Sequence, residues 1–269
     1  MSRVRISTSF LITALVLVVG VSPPLFAQTD AEDAARSREN ASRLANLLTR
    51  WGPPMNSPGA EIHLKQIDER SEEGHRAIVY RLFATGFPKE GLALEEVSMD
   101  LEITPVMEGV SLDESGQAIC PGKPGTCGDT AKPNVPVNFV VSAAKGEAKR
   151  FSLVSEDGMI KAFTYVVPFP ISGKDAACSV EAILLSENAD ALLVRGSGFK
   201  PQAAVRHTVV SEGETQQSNI TANQNGEFSD VELPATKGKT KGTAAASFQS
   251  NNCNPSLSYD WGEGSYQLQ

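Results

Sequence analysis

"RGSGFKP" runs from Arg195 to Pro201, and "ATGFPK" runs from Ala84 to Lys89. Each places Gly-Phe and then Pro at the end of an apolar run. Gly86 and Gly198 can take the positive φ that ends a strand and turns the chain sharply. Phe87 and Phe199 can then turn a ring into a core, where an aromatic buries a large apolar area. The proline that follows cannot donate to a ladder and keeps the connection out of the sheet. The motif reads as a strand-end corner, and its two occurrences read as architecture.

The surroundings of the two corners match. "EIHLKQI" (61–67), the polar turn "DERSEEG" and "HRAIVYRLFATGF" precede Pro88; "SVEAILLS" (179–186), the turn "ENAD" and "ALLVRGSGF" precede Lys200 and Pro201. In the second strand Ile78, Tyr80 and Leu82 fall on one face and Val79 and Phe83 on the other, the period-2 alternation of a strand. Each segment then reaches a polar glycine turn, "LDESG" with Gly116 and "ANQNG" with Gly226, at 29 residues beyond Phe87 and 27 beyond Phe199. A weak internal repeat of one β-domain is expected. The prediction is an all-β chain: an N-terminal β-sandwich domain over 60–172, a hinge at "GKDAAC", an immunoglobulin-like β-sandwich over 175–262, and a tail, 263–269.

"GSGFKP", a run of strand residues and "NQNGEFSDVELPA" (223–235) together resemble the immunoglobulin-like modules, IPT/TIG-type ones included, of exported bacterial proteins. The resemblance covers Cys178 to Trp261, and covers Ala60 to Ser172 loosely because of the insertion "CPGKPGTCGDTAKPNVP" (120–136). It implies two such sandwiches in tandem and an adhesion, scaffold or binding role. It brings no catalytic residues.

The N-terminus predicts export. Arg3 and Arg5 precede the apolar run Phe10–Val21, Pro23 and Pro24 end it, and Ala27 supplies a small residue before a cut, so 1–27 reads as a secretory signal peptide. Residues 28–59 read as a helix and linker. Thr29 and Glu32 have capping-box spacing, Leu44, Leu47, Leu48 and Trp51 form one stripe, and "GPPMNSPG" follows. Removing Arg3 and Arg5 leaves 22 basic against 32 acidic residues, a net charge of −10, which argues against nucleic acid and anionic membrane as partners. The expected location is periplasmic or extracellular.

Four cysteines in an exported chain read as two disulfides. Spacing suggests Cys120–Cys127 and Cys178–Cys253, although four cysteines allow three connectivities. No metal ligand set is expected, since no histidine lies within ten residues of a cysteine. His63 and His75 fall on neighbouring strands of one hairpin and are placed to approach each other, but no Gly-x-Ser-x-Gly elbow accompanies them. "KGKTKGT" (237–243) lacks the upstream glycine of a phosphate loop, with Leu233 in its place. Glu95–Glu96, Asp113–Glu114 and Glu156–Asp157 read as strand or turn acids, because neighbouring strand residues point to opposite faces.

The sequence therefore predicts no catalytic residue and no cofactor. Its expectation is an extracytoplasmic binding or structural protein whose partner is a protein or a polysaccharide. The alternatives are a carbohydrate-binding module and an enzyme with an inter-domain site. Trp51, Tyr259 and Trp261, with Tyr266, are the candidates for sugar or partner contact, since exposed aromatics stack on sugar rings.

Overall fold

The computed structural model of the chain describes residues 25–99, 101–122, 127 and 132–269, with side chains from residue 36 onward except residue 49. Residues 1–24 of the expected signal peptide, 1–27, and most of the "CPGKPGTC" loop lie outside the described residues, and residues 25–27 are helical. Two units are distinguished, Met1–Ser37 and Arg38–Gln269, and both sandwiches belong to the second.

Helix α1 spans Leu25–Arg50. It starts ahead of Thr29, so the Thr29–Glu32 spacing lies inside the helix and does not cap it. In the larger unit its buried positions are Ala41, Ala45 and Leu48, with Leu44 half-buried, the i, i+4, i+7 spacing of one helical face. The buried face therefore carries more alanine than the leucine stripe suggests.

The first sandwich contains β1 (Glu61–Glu72), β2 (His75–Thr85), β3 (Leu92–Val97), β4 (Ile103–Leu112), β5 (Ala118–Cys120), β6 (Val135–Pro136), β7 (Asn138–Val141), β8 (Lys149–Ser155) and β9 (Lys161–Val166). One sheet has the order β1-β2-β7 and the other β6-β5-β4-β3-β8-β9, all antiparallel. Ile78, Tyr80 and Leu82 of the first sheet meet Leu92, Leu94, Val110, Phe151 and Leu153 of the second. The β1–β2 hairpin is longer than the alternation implies. Asp68–Glu72 continues the strand, and the turn is only Glu73–Gly74, both at positive φ (51° and 86°), as a two-residue hairpin matching strand twist requires.

The second sandwich contains β10 (Ile171–Asp175), β11 (Cys178–Leu184), β12 (Leu192–Ser197), β13 (Ala204–Ser211), β14 (Glu214–Thr221), β15 (Phe228–Glu232), β16 (Lys241–Gln249) and β17 (Ser256–Gly262). Its sheets are β10-β11-β12-β15 and β14-β13-β16-β17. The segment "GKDAAC" is not a hinge. Gly173 and Lys174 pair with Val180 and Ser179 in the β10–β11 ladder, and Ile171 belongs to the second core. The second sandwich thus begins inside the range expected for the first.

With β5, β6 and β10 set aside, the two sandwiches have the same strand order. The first, second and fifth strands form one sheet, and the fourth, third, sixth and seventh form the other. The corners repeat at atomic detail. Gly86 and Gly198 have φ of 76° and 77°, and an added Cβ would collide with the carbonyl oxygen of Gly59, two residues before β1, or of Ala177, one residue before β11. The later turns are similar in kind, although their glycines meet the corner at different positions, Ala84 two residues before Gly86 and Phe199 one residue after Gly198. Ala84 N–H donates to the Gly116 carbonyl at 2.8 Å, and Phe199 N–H to that of Gly226 at 3.1 Å. The Asp113 carboxylate accepts from the Ser115 and Gln117 amides, and the Asn223 side-chain carbonyl accepts from those of Asn225 and Glu227. Both are Asx turns, which fix their own loop. Phe199 is buried and packs against Phe228 at 5.2 Å; Phe87 is half-buried against the first core.

The cysteines pair as Cys120–Cys127 and Cys178–Cys253, with Cα separations of 5.5 and 6.1 Å. Such bonds persist in oxidising compartments. Among the described residues no helix is long and apolar enough to cross a membrane. The tail is ordered and returns to the first sandwich. Leu268 bridges Ala144, Gln269 N–H donates to the Ala143 carbonyl, and the Tyr266 hydroxyl donates to Glu147 at 2.9 Å.

Candidate functional site

The sheet β10-β11-β12-β15 turns one face to the core and the other outward. Register puts Lys174, Ser179 and Ser197 in one outward row, Ser172, Glu181, Arg195 and Ser229 in the next, and Ile183, Leu193 and Val231 in a third. The third row is apolar, and α1 covers it through Ala41, Ala45 and Leu48. The first two rows are polar and form the floor of a cleft of about 830 Å³, walled by Ile220, Thr221 and Asn223. A half-apolar, half-polar sheet face thus receives a helix at one end and leaves a cleft at the other.

The charges in the cleft are held in distinct ways. Arg195 donates to the Tyr165 hydroxyl and lies 5.7 Å from that ring, a cation–π arrangement that fixes the guanidinium. Glu181 stands directly opposite Arg195 across the β11–β12 ladder, is half-buried, and among the described residues accepts no hydrogen bond. Burial pushes its carboxyl above the usual range, and the Arg195 charge opposes that rise. The Ser179 and Ser197 hydroxyls lie 2.9 Å apart.

On the core side of β15 lies a second polar group. His207 of β13 is buried, with Nε2 3.1 Å from Glu232 Oε2 and Nδ1 3.6 Å from Asp230 Oδ2. The Tyr259 hydroxyl donates to Glu232, and Phe248 stacks on the imidazole at 4.5 Å. Burial alone would lower the His207 pKa, but the hydrogen bonds and charges of Asp230 and Glu232 outweigh it and hold the value up at about 9. The ring is an imidazolium at neutral pH, neutralised inside the sandwich. This is a structural ion pair between the sheets.

A smaller cleft of about 550 Å³ lies where the tail meets the first sandwich. Its buried Glu147 accepts from Lys149 at 2.8 Å and from Tyr266, and Lys149 also reaches Glu96 at 3.5 Å. Burial opposes the Lys149 charge, yet the two carboxylates keep its pKa raised. Burial and then the Glu147 carboxylate push the Tyr266 hydroxyl above the ordinary phenol range. These charges satisfy one another and fasten the tail.

The residues singled out in the sequence are dispersed. Trp51 is buried, donates to the Thr164 carbonyl at 2.8 Å and meets Phe163 edge-on. Trp261 is 2% exposed and donates to Ser211 Oγ, and Tyr259 is spent on Glu232. None of the three presents a ring to solvent, so the aromatic positions suggested for sugar or partner contact are core positions. His63 pairs with Phe83 and His75 with Glu72, at opposite ends of the hairpin, so the two histidines do not meet. Asp113 and Asp157 hold turns through Ser115 and Ser155, whose hydroxyls draw both carboxyls below the usual range. Among the described residues no group of three or more His, Cys, Asp or Glu is arranged to hold a metal ion.

Sequence reasoning missed the Glu181–Arg195 pair and the His207–Glu232 pair. Both were signalled by parity. His207 shares the inward phase of Val205 and Val209, and Arg195 the outward phase of Leu193. No family model matches the chain, and no curated protein matches it.

Proposed function

We propose that the chain is an exported, non-enzymatic binding protein made of two immunoglobulin-like sandwiches, with its contact site on the outer face of the second. The duplicated strand order supports the immunoglobulin-like reading, since seven antiparallel strands split three and four is an arrangement of that class. Two disulfides support an extracytoplasmic setting. The observation that carries the binding role is the polar cleft over Glu181 and Arg195, where a half-buried carboxylate has no hydrogen-bond partner among the described residues. A half-buried carboxylate facing a cleft can accept hydrogen bonds from the donors of a ligand seated there.

The test immobilises the oxidised chain from Gln28 onward and compares capture from extracytoplasmic extract of the native host with that of Arg195→Glu and Glu181→Lys. Reversal of either charge removes the captured molecule at unchanged melting temperature if the cleft is the site. Capture indifferent to both substitutions overturns the assignment.

A further inference from the structure

Resting on that binding reading, we infer that the cleft takes an uncharged, polyhydroxylated ligand, a saccharide, read by Glu181 as acceptor and Arg195 and Lys174 as donors. The alternative occupant, an extended peptide adding a strand, needs a free sheet edge. The β10 edge of this sheet is closed, and the β15 edge is partly occupied. On β15 the Val231 N–H is already taken by the Asp230 carboxylate at 2.9 Å. On β10, Gly173 lies so close under the Ser256 carbonyl that a Cβ there would collide with it, and the Asp175 carboxylate binds the Asn254 amide at 2.6 Å. Recognition therefore falls to side chains.

Those side chains are a balanced set. Lys174 and Arg195 are offset by Glu181 and Glu227, so the cleft offers a charged ligand no net attraction. Four serine hydroxyls, Ser172, Ser179, Ser197 and Ser229, supply groups that both donate and accept. A sugar hydroxyl also does both. Vicinal hydroxyls can donate to the Glu181 carboxylate and accept from the cation directly opposite, which neither an anion nor an ammonium ligand can do with both partners.

The experiment titrates neutral hexasaccharides (cellohexaose, maltohexaose, xylohexaose and hexameric N-acetylglucosamine) into the oxidised chain by calorimetry. At least one binds, with an affinity unchanged between low and high salt, and Glu181→Gln and Arg195→Ala each weaken it about tenfold or more. Ser197→Arg, which fills the cleft from an exposed position and leaves the core intact, abolishes it. No binding by any of the four, binding that falls steeply with salt, or binding indifferent to all three substitutions overturns the saccharide assignment. A protein captured from extract and lost on charge reversal would keep the binding reading while removing this one; absence of both would remove both.

Discussion

Replacing Glu232 with alanine lowers folding stability by about 3–5 kcal/mol, the cost typical of breaking a buried ion pair. The substitution leaves the His207 imidazolium facing Asp230 alone and strips the buried Tyr259 hydroxyl of its acceptor. Urea unfolding followed by Trp261, which is buried in the same core, reads the loss directly. The triple variant His207→Leu/Glu232→Leu/Tyr259→Phe recovers most of it, because replacing every member of a buried polar group by apolar side chains is often neutral. The same network sets a pH dependence. The His207 pKa of about 9 lies above its ordinary 6.5, so the stabilisation is complete below about pH 6.5, declines as pH rises, and is lost above about 9. Its full size is about 3 kcal/mol. The melting temperature falls across that window, and His207→Leu flattens the fall; an unchanged slope in that variant would assign the dependence to other groups.

Removal of the Cys178–Cys253 bond by paired alanine substitution costs about 4 kcal/mol, more than the roughly 2.5 kcal/mol for Cys120–Cys127. The difference lies in the unfolded chain. The first bond is separated by 75 residues and the second by 7, and loop-closure entropy grows with the logarithm of loop length. Cys178 opens β11 and Cys253 precedes β17, so the long bond also ties together the two sheets of one sandwich. Thermal unfolding of each paired variant gives the ranking, and an equal cost for both would mean that packing around the sulfurs outweighs chain entropy.

The all-β class and the two Gly-Phe corners were legible in the sequence, because each is set by local chemistry, whereas spacing suggested the disulfide pairing without deciding among three connectivities. A glycine at a corner, an alternation of apolar residues or a proline after a strand needs no knowledge of the rest of the chain. Boundaries were less legible where charge and strand coincide. Asp68–Glu72 looks like a turn, yet it pairs with Arg76–Val79 and His75 because every residue of β1 from Lys65 to Glu72 is solvated, where charge carries no burial cost. "GKDAAC" looks like a linker because glycine and lysine rarely mark a strand, but its pairing to β11 is decided by tertiary contact with β17. The aromatic candidates misled because composition does not report orientation: Trp51, Tyr259 and Trp261 each have a polar atom that finds an internal partner, and buried aromatics commonly do so. The cleft itself depends on which strands lie side by side, since Glu181 and Arg195 are brought opposite each other only by the β11–β12 register.

The most direct test of the binding site is a photo-crosslink made in the native extracytoplasmic setting. A benzophenone amino acid is placed at Ser197, in the cleft, and in a second preparation at Met159, which is 76% exposed on the first sandwich. Benzophenone inserts into C–H bonds of proteins and sugars alike, so the readout does not presuppose the ligand. A discrete adduct is expected from Ser197 and none from Met159. No adduct from Ser197, or the same adduct from both positions, would contradict the cleft assignment.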